Sequence, residues 1–414
     1  MEKPIEELYR ERQQRVQAAV QLQVPDRVPL EINFGYFPAK YCGISCEASY
    51  YDYDSWLAAC RKTIVDFGAD WSGAQYFFPG TVLELIAPRS LAWPGHGSSA
   101  CHGHQAIENE FVKEDEYPAL LGDHTDFMLR KYLPRLSGAM EAFKNLPSLS
   151  NLLGGYREAI TLAEGLSDPE IAKSIERLQK AGKEYRYWLP KMNAFIKEIN
   201  KLGFPSFVGG QALAPFDAIS DHLRGMKGSM LDMYRQQDKL LETCDVFLKK
   251  TLDRIPQASQ GAINSISIPT HRGSEGFMSL SQFEKLYWPT LKGLIEGLVD
   301  KGQTPMVFFE GDYTSRLEYL LEVPKGKVFA HFDTTDMFKA KEILGGHMSL
   351  AGNIPCSILQ TGTPDDVKAQ AKKLIDIVGK DGGYIMSTRS PTDDVEPENL
   401  KALIDFTKEY GVYR

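Results

Sequence analysis

The fold is decided by Thr304–Asn353, TPMVFFEGDYTSRLEYLLEVPKGKVFAHFDTTDMFKAKEILGGHMSLAGN. Three short apolar runs, Thr304–Phe309, Lys327–His331 and His347–Asn353, alternate there with two helical periods, Thr314–Leu321 and Asp336–Leu344. Runs this short and this continuously apolar fit parallel strands covered on both faces better than a sheet with one wet side. Working outward, the same signal recurs at Val28–Asn33, Ala69–Tyr76, Ser206–Gln211 and Gly261–Ile268 upstream, and at Gly383–Ser387 downstream. Helical periods at Asp54–Phe67, Leu231–Ile255, Ser281–Asp300, Pro364–Val378 and Glu398–Tyr410 fill the spaces. Gly68, Gly302 and Gly345-Gly346 stand where helices are expected to stop. Eight strands alternating with helices predict an α/β protein with a (β/α)8 TIM barrel, preceded by an N-terminal helix over Tyr9–Gln23.

The 414 residues read as one barrel domain, 1–414. About 130 residues separate the second and third runs, far more than a crossover needs. Trp93–Tyr117 reads as loop and Asp126–Lys201 as charged and helical, so residues 93–201 are expected to form a lid-like insertion over the barrel mouth.

Composition narrows the function. The apolar fraction is 43% and the charged fraction 25%, as in globular proteins. Against 47 Lys and Arg stand 55 Asp and Glu, a net charge of −8, which argues against a nucleic-acid partner. No run reaches the ~18 apolar residues of a membrane span. The N-terminus has the charge of a surface helix rather than the apolar core of a secretory signal. Six cysteines in a chain of this length predict reduced thiols and a cytoplasmic protein.

Barrel enzymes work at the C-terminal ends of their strands, so the strand positions nominate residues. Asn33 and Tyr36 follow the first strand, Gln75 and Tyr76 the second, and Gln211 and Asp217 the third. His271 and Arg272 follow the fourth, and Glu310 and Asp312 the fifth. His331 and Asp333 follow the sixth, Asn353 and Cys356 the seventh, and Ser387 and Arg389 the eighth. Glu310, in FFEGDY, is expected to face the barrel axis as acid, base or metal ligand. His331 and Asp333 are two apart and share a strand face; with Glu310 they would offer an O,N,O donor set. Against these readings stand helix capping, loop hydrogen bonds and ion pairs, with Arg316 or Arg389 as partners of Glu310. GHGSSACHGH (Gly95–His104) matches no zinc spacing and is read as a binding loop.

The Asp26-Arg27-Val28-Pro29 start, APFDAISDHLRGM (Ala214–Met226) and GFMSLSQFEKLYWPTLKGLIEGLVDKGQTPMVFFEGD resemble the uroporphyrinogen decarboxylase superfamily. So do LAGNIPCSILQTGTPDDVKAQAKKLIDIVGKDGGYI and EPENLKALIDFTKEYG. The likeness covers about three-quarters of the chain, is weakest over Trp93–Lys201, and implies the same barrel. True decarboxylases of that superfamily carry an arginine-rich N-terminal segment for substrate carboxylates; DRVPLEINFGYFPAKY has only Arg27. The chain is more similar to the corrinoid-dependent methyltransferase branch. That branch holds zinc through a His-x-Cys pair after strand five and a Cys after strand eight. Here the positions fall on Phe308 and Glu310 and near Arg389, so a zinc site would call on Glu310 with His331 or His271.

The resemblance therefore implies a methyltransferase acting between a small methylated substrate and a separate corrinoid protein. Glu310, His271, His331 and Asp333 would be its catalytic groups. Asn33, Tyr36, Tyr76, Gln211, Asp217, Arg272, Asp312, Asn353 and Arg389 would bind substrate. It also implies a homodimer. The alternatives are a lyase or decarboxylase of a small acid, with Arg272 and Arg389 holding carboxylate, and a binding barrel without chemistry.

Overall fold

The computed structural model describes residues 3–73, 78–149, 154–258, 265–389 and 391–414. Eight short strands, labelled here β1 to β8, are Glu31–Asn33, Trp71–Gly73, Val208–Gln211, Ser265–Thr270, Thr304–Phe309, Phe329–Phe332, Ser349–Ala351 and Tyr384–Ile385. β3 through β8 pair in chain order and β1 pairs with β2, every pair parallel. A parallel bridge between Leu30 and Met386 joins β1 to β8. The order is therefore β2-β1-β8-β7-β6-β5-β4-β3, that of a (β/α)8 barrel.

β5 coincides with its sequence reading, and most of the others are shorter than expected. Val28 is buried without pairing, and Leu30 makes only its single bridge to Met386, because an apolar run marks burial, which extends past the ladder. The expected strand residues Gln75, Tyr76 and Gly261–Asn264 lie outside the described residues.

The strands are two-faced. Ile32, Ile266, Ile268, Val307, Phe309, Ala330 and Phe332 point outward and are buried under the helices. Their alternates Glu31, Asn33, Ser267, Pro269, Met306, Phe308, Phe329 and His331 point into the barrel. The period of two carries both sets. Position 310 continues the inward parity of 306 and 308 past the end of β5, which is why its carboxylate reaches the mouth.

Among the described residues the foot of the barrel is packed shut. The first helix, Ile5–Val20, sets Val16 and Ala19 against Trp71, Phe207, Phe329 and Ile385. Beside it, buried Asp70 accepts from Arg15 Nη1 at 2.7 Å, from both Arg27 terminal nitrogens at 2.8 Å and from Leu30 N–H at 3.0 Å. Arg15 also reaches Asp26 through Nε at 2.7 Å. The arginine of the Asp-Arg-Val-Pro motif is thus spent on fastening helix to barrel.

Two helices depart from expectation. Leu231–Ile255 is split into Gly225–Arg235 and Gln237–Arg254, because Gln236 leaves the helical backbone (φ −132°). Thr314–Glu322 is wound as a tighter 3-10 helix. Within the insertion, Leu91–Pro94, Gly97–Ser98 and Gln105–Ala106 form a small three-stranded sheet where loop was expected; two-residue strands are too short to leave a periodicity. The long helix Pro169–Lys201 starts on Asp168, whose carboxylate accepts from Glu170 and Ile171 N–H.

Candidate active site at the barrel mouth

A cavity of about 790 Å³ runs from the mouth down the barrel interior. Its floor is Trp71, Met306 and Phe329, and its rim carries Asn33, Gln211, His271, Glu310, His331 and Thr388. Ile196, Ile199 and Asn200, from the end of the long insertion helix, line one side.

Three acids and a histidine organise the rim between β3, β4 and β5. His271 Nδ1 lies 2.5 Å from Asp221 Oδ2, and its Nε2 lies 3.7 Å from Glu310 Oε2. The Asp221 hydrogen bond raises the imidazole's pKa above the usual histidine range, against the opposing pull of burial. The 3.7 Å gap exceeds a direct hydrogen bond and leaves Nε2 facing an exposed carboxylate, with access for a third atom.

Asp217 holds this arrangement in place. Wholly buried, it accepts from the backbone N–H of His271 at 2.9 Å and of Arg272 at 3.0 Å, and from the Tyr287 hydroxyl at 2.6 Å. Burial pushes its carboxyl up to about 6, opposed by the Tyr287 hydrogen bond. Asp217 and Asp221 sit one helical turn apart in Pro215–Ile219 and the wide turn Ser220–Arg224. One faces the loop's backbone and the other its imidazole.

Glu310 is set by the turn that follows it. Gly311 has φ +83°, and a Cβ there would lie 2.9 Å from Ser274 Cβ, so the turn requires glycine. Its N–H donates to Asp333 Oδ2 at 3.0 Å.

The sequence-nominated residues divide between the cavity and its supports. Asn33, Gln211, His271, Glu310 and His331 line the cavity together. The others are used elsewhere. Asp333 ties down Gly311, so it does not share a site with His331; the chain turns after β6, and strand parity stops at Phe332. Asp312 accepts from Thr314 N–H and Oγ1. Asn353 donates to the carbonyls of Asp333 and Thr335. Asp217 supports backbone rather than the cavity. Arg272 is drawn to Asp221 (2.9 Å) and Ser220 (3.0 Å), and Arg389 Nε to the Asn353 carbonyl (3.3 Å). Buried Tyr36 meets Tyr50 at 3.0 Å and His104 at 2.9 Å under the insertion. Tyr76 lies outside the described residues.

Two residues were missed. Asp221 reads as an ordinary helical acid, and only its i,i+4 spacing from Asp217 hints at a shared face. Glu31 interrupts the apolar run VPLEIN; it is buried, accepts from Ser387 Oγ, and lies 3.9 Å from His331 Nδ1. His331 Nε2 is 2.9 Å from the Thr388 carbonyl, which fixes Nε2 as the protonated nitrogen and turns Nδ1 toward Glu31.

The residues present do not fit the expected zinc set. Phe308 has no lone pair to give, and among the described residues no three His, Cys, Asp or Glu side chains come together as ligands.

An eight-stranded barrel with its ionisable cluster at the C-terminal strand ends defines the class of protein. The uroporphyrinogen decarboxylase (URO-D) family profile matches residues 163–410, and the chain belongs to that family. It is 28% identical over 137 residues to a uroporphyrinogen decarboxylase from Pelodictyon phaeoclathratiforme, covering 32% of this chain and 38% of that relative. To one from Syntrophotalea carbinolica it is 26% identical over 172 residues, covering 41% and 47%. The chain thus spans less than half the length of these curated relatives. Its fold is similar to that of a methyltransferase from Methanosarcina mazei, with a TM-score of 0.58 and 15% identity over 96% of this chain and 98% of that one. Among the described residues no helix is long and apolar enough to cross a membrane.

Proposed function

We propose that this protein is a methyltransferase that moves a methyl group from a small methylated substrate to a separate corrinoid protein. The observation that carries the reading is the Asp221–His271–Glu310 alignment at the rim of a cavity of substrate size. The full-length structural likeness to a methyltransferase supports it.

Breaking a bond between methyl carbon and a heteroatom leaves the electron pair on that heteroatom, which departs readily once it carries a proton. His271 supplies that proton from Nε2. Asp221 keeps the imidazole charged and oriented through Nδ1, and Glu310 holds the leaving atom opposite Nε2. The methyl carbon passes to the incoming nucleophile of the corrinoid protein as the bond to the heteroatom breaks, and the demethylated product keeps the proton. A lyase of small acids would need cations facing the cavity, and Arg272 and Arg389 are turned to other partners.

The test is methyl transfer to a corrinoid protein, followed by that protein's absorbance change. His271→Asn and Glu310→Gln should each lower kcat by about 10²- to 10⁴-fold, the range of a lost acid-base group. Transfer at the parent rate by both variants would remove the mechanism, and carbon dioxide release without transfer would establish the lyase.

A further inference from the structure

The cavity has a sign. Two carboxylates, Glu31 and Glu310, face it from β1 and from the end of β5, and no lysine or arginine lines it among the described residues. Asp221 meets both His271 at 2.5 Å and Arg272 at 2.9 Å, and His271 Nε2 also lies 3.7 Å from Glu310, whereas Glu31 has only the His331 imidazole beside it, at 3.9 Å. Arg27, the cation nearest in sequence to Glu31, is fixed to Asp70 at the foot. The walls between the carboxylates are aromatic. Phe308 is partly exposed to the cavity from β5, and Trp71 and Phe329 close its floor with ring centroids 5.9 Å apart. Aromatic faces attract cations, and do so more strongly away from water.

From this we infer that the cavity selects a methylated amine, held as its ammonium cation between Glu31 and Glu310 against the aromatic walls. The inference rests on the reading of this cavity as the seat of the methylated substrate, and it names the class. It also accounts for the proton. The proton that His271 delivers to nitrogen makes the bound amine the cation the cavity attracts, and the same proton makes nitrogen a leaving atom. As the N–CH3 bond breaks, its electron pair stays on nitrogen, the methyl carbon bonds to the incoming nucleophile, and the product departs as the neutral amine with its N–H intact. A polycarboxylate is repelled by the same two acids.

The experiment is a calorimetric titration of the purified protein, with no methyl acceptor present. Its probes are tetramethylammonium, the uncharged tert-butanol of similar bulk, and succinate. Tetramethylammonium should bind at least ~10-fold more tightly than tert-butanol, and succinate should not compete. Glu31→Gln and Phe308→Leu, each checked for native circular dichroism, should reduce the cation's advantage about 5-fold or more. Phe308→Leu keeps the test intact if loss of the buried Glu31 carboxylate unfolds the chain. Equal binding of cation and alcohol, tighter binding of succinate, or an advantage unchanged in both variants would overturn the inference. A protein that binds the cation but transfers no methyl group would instead sink the methyltransferase reading alone. One that demethylates an uncharged ether without cation preference would sink only the substrate class.

Discussion

Asp217→Ala is expected to destabilise the protein by about 3 kcal/mol, and the figure follows from what its carboxylate holds. Two half-buried backbone N–H groups, of His271 and Arg272, and the buried Tyr287 hydroxyl lose their acceptor. An orphaned buried donor costs about 1–3 kcal/mol. Tyr287 keeps Tyr313 as a neighbour and counts at the low end of that range. Against the loss stands relief of the carboxyl's own burial, which is unfavourable enough to push it up to about 6. Asp217→Asn keeps one acceptor oxygen and should lose about half as much. Urea unfolding at neutral pH, followed by tryptophan fluorescence with the slope held equal across variants, reads both numbers. A loss below about 1 kcal/mol for alanine, or an asparagine variant as damaged as the alanine one, would refute the idea that this carboxylate carries the loop behind His271.

Asp70→Ala strips the shared partner from Arg15 and Arg27 and should cost about 3–5 kcal/mol in the same assay, as removal of one member of a buried ion pair does; an unchanged midpoint would show the cluster to be dispensable. Lys408, pulled down to about 8 by burial, resists protonation in the folded state, so its share of stability is present above the ordinary lysine value and is lost as pH falls through about 8. Lys408→Met should therefore melt higher than the parent at neutral pH, with the difference shrinking toward alkaline pH; a constant difference would contradict the linkage. Because Asp221 raises the His271 pKa, methyl transfer that uses the imidazolium should persist above the usual histidine range and fall as pH rises further. Asp221→Asn should move that falling limb to lower pH, and a limb that stays put would assign it to another group.

The barrel was legible because burial and strand pairing coincide along most of TPMVFF, and because outward residues such as Ile268, Val307 and Ala330 make each strand apolar whatever its inner face carries. What faces the cavity was half legible. Glu310 followed from strand parity. Asp333 did not, since parity ends where the ladder ends, and a backbone N–H claimed its carboxylate. Asp312, Asn353 and Arg272 show the general limit: a polar residue at a strand end serves loop geometry and cavity equally well in sequence, and only its nearest partner decides. Asp221 escaped notice because its partner lies 50 residues away. Glu31 escaped because a lone acid inside an apolar run carries no spacing to another group.

The sealed foot of the barrel has a consequence for traffic. With Val16 and Ala19 wedged under Trp71 and Phe329, the described residues leave no way out through the base, so a reactant lodged beside Glu31 would retrace its way outward past Glu310. A bulky protein seated on the rim would block that route while it stays. On the proposed function, turnover would then follow a fixed sequence: the small molecule would go in first, and the large one would come off before the spent product could.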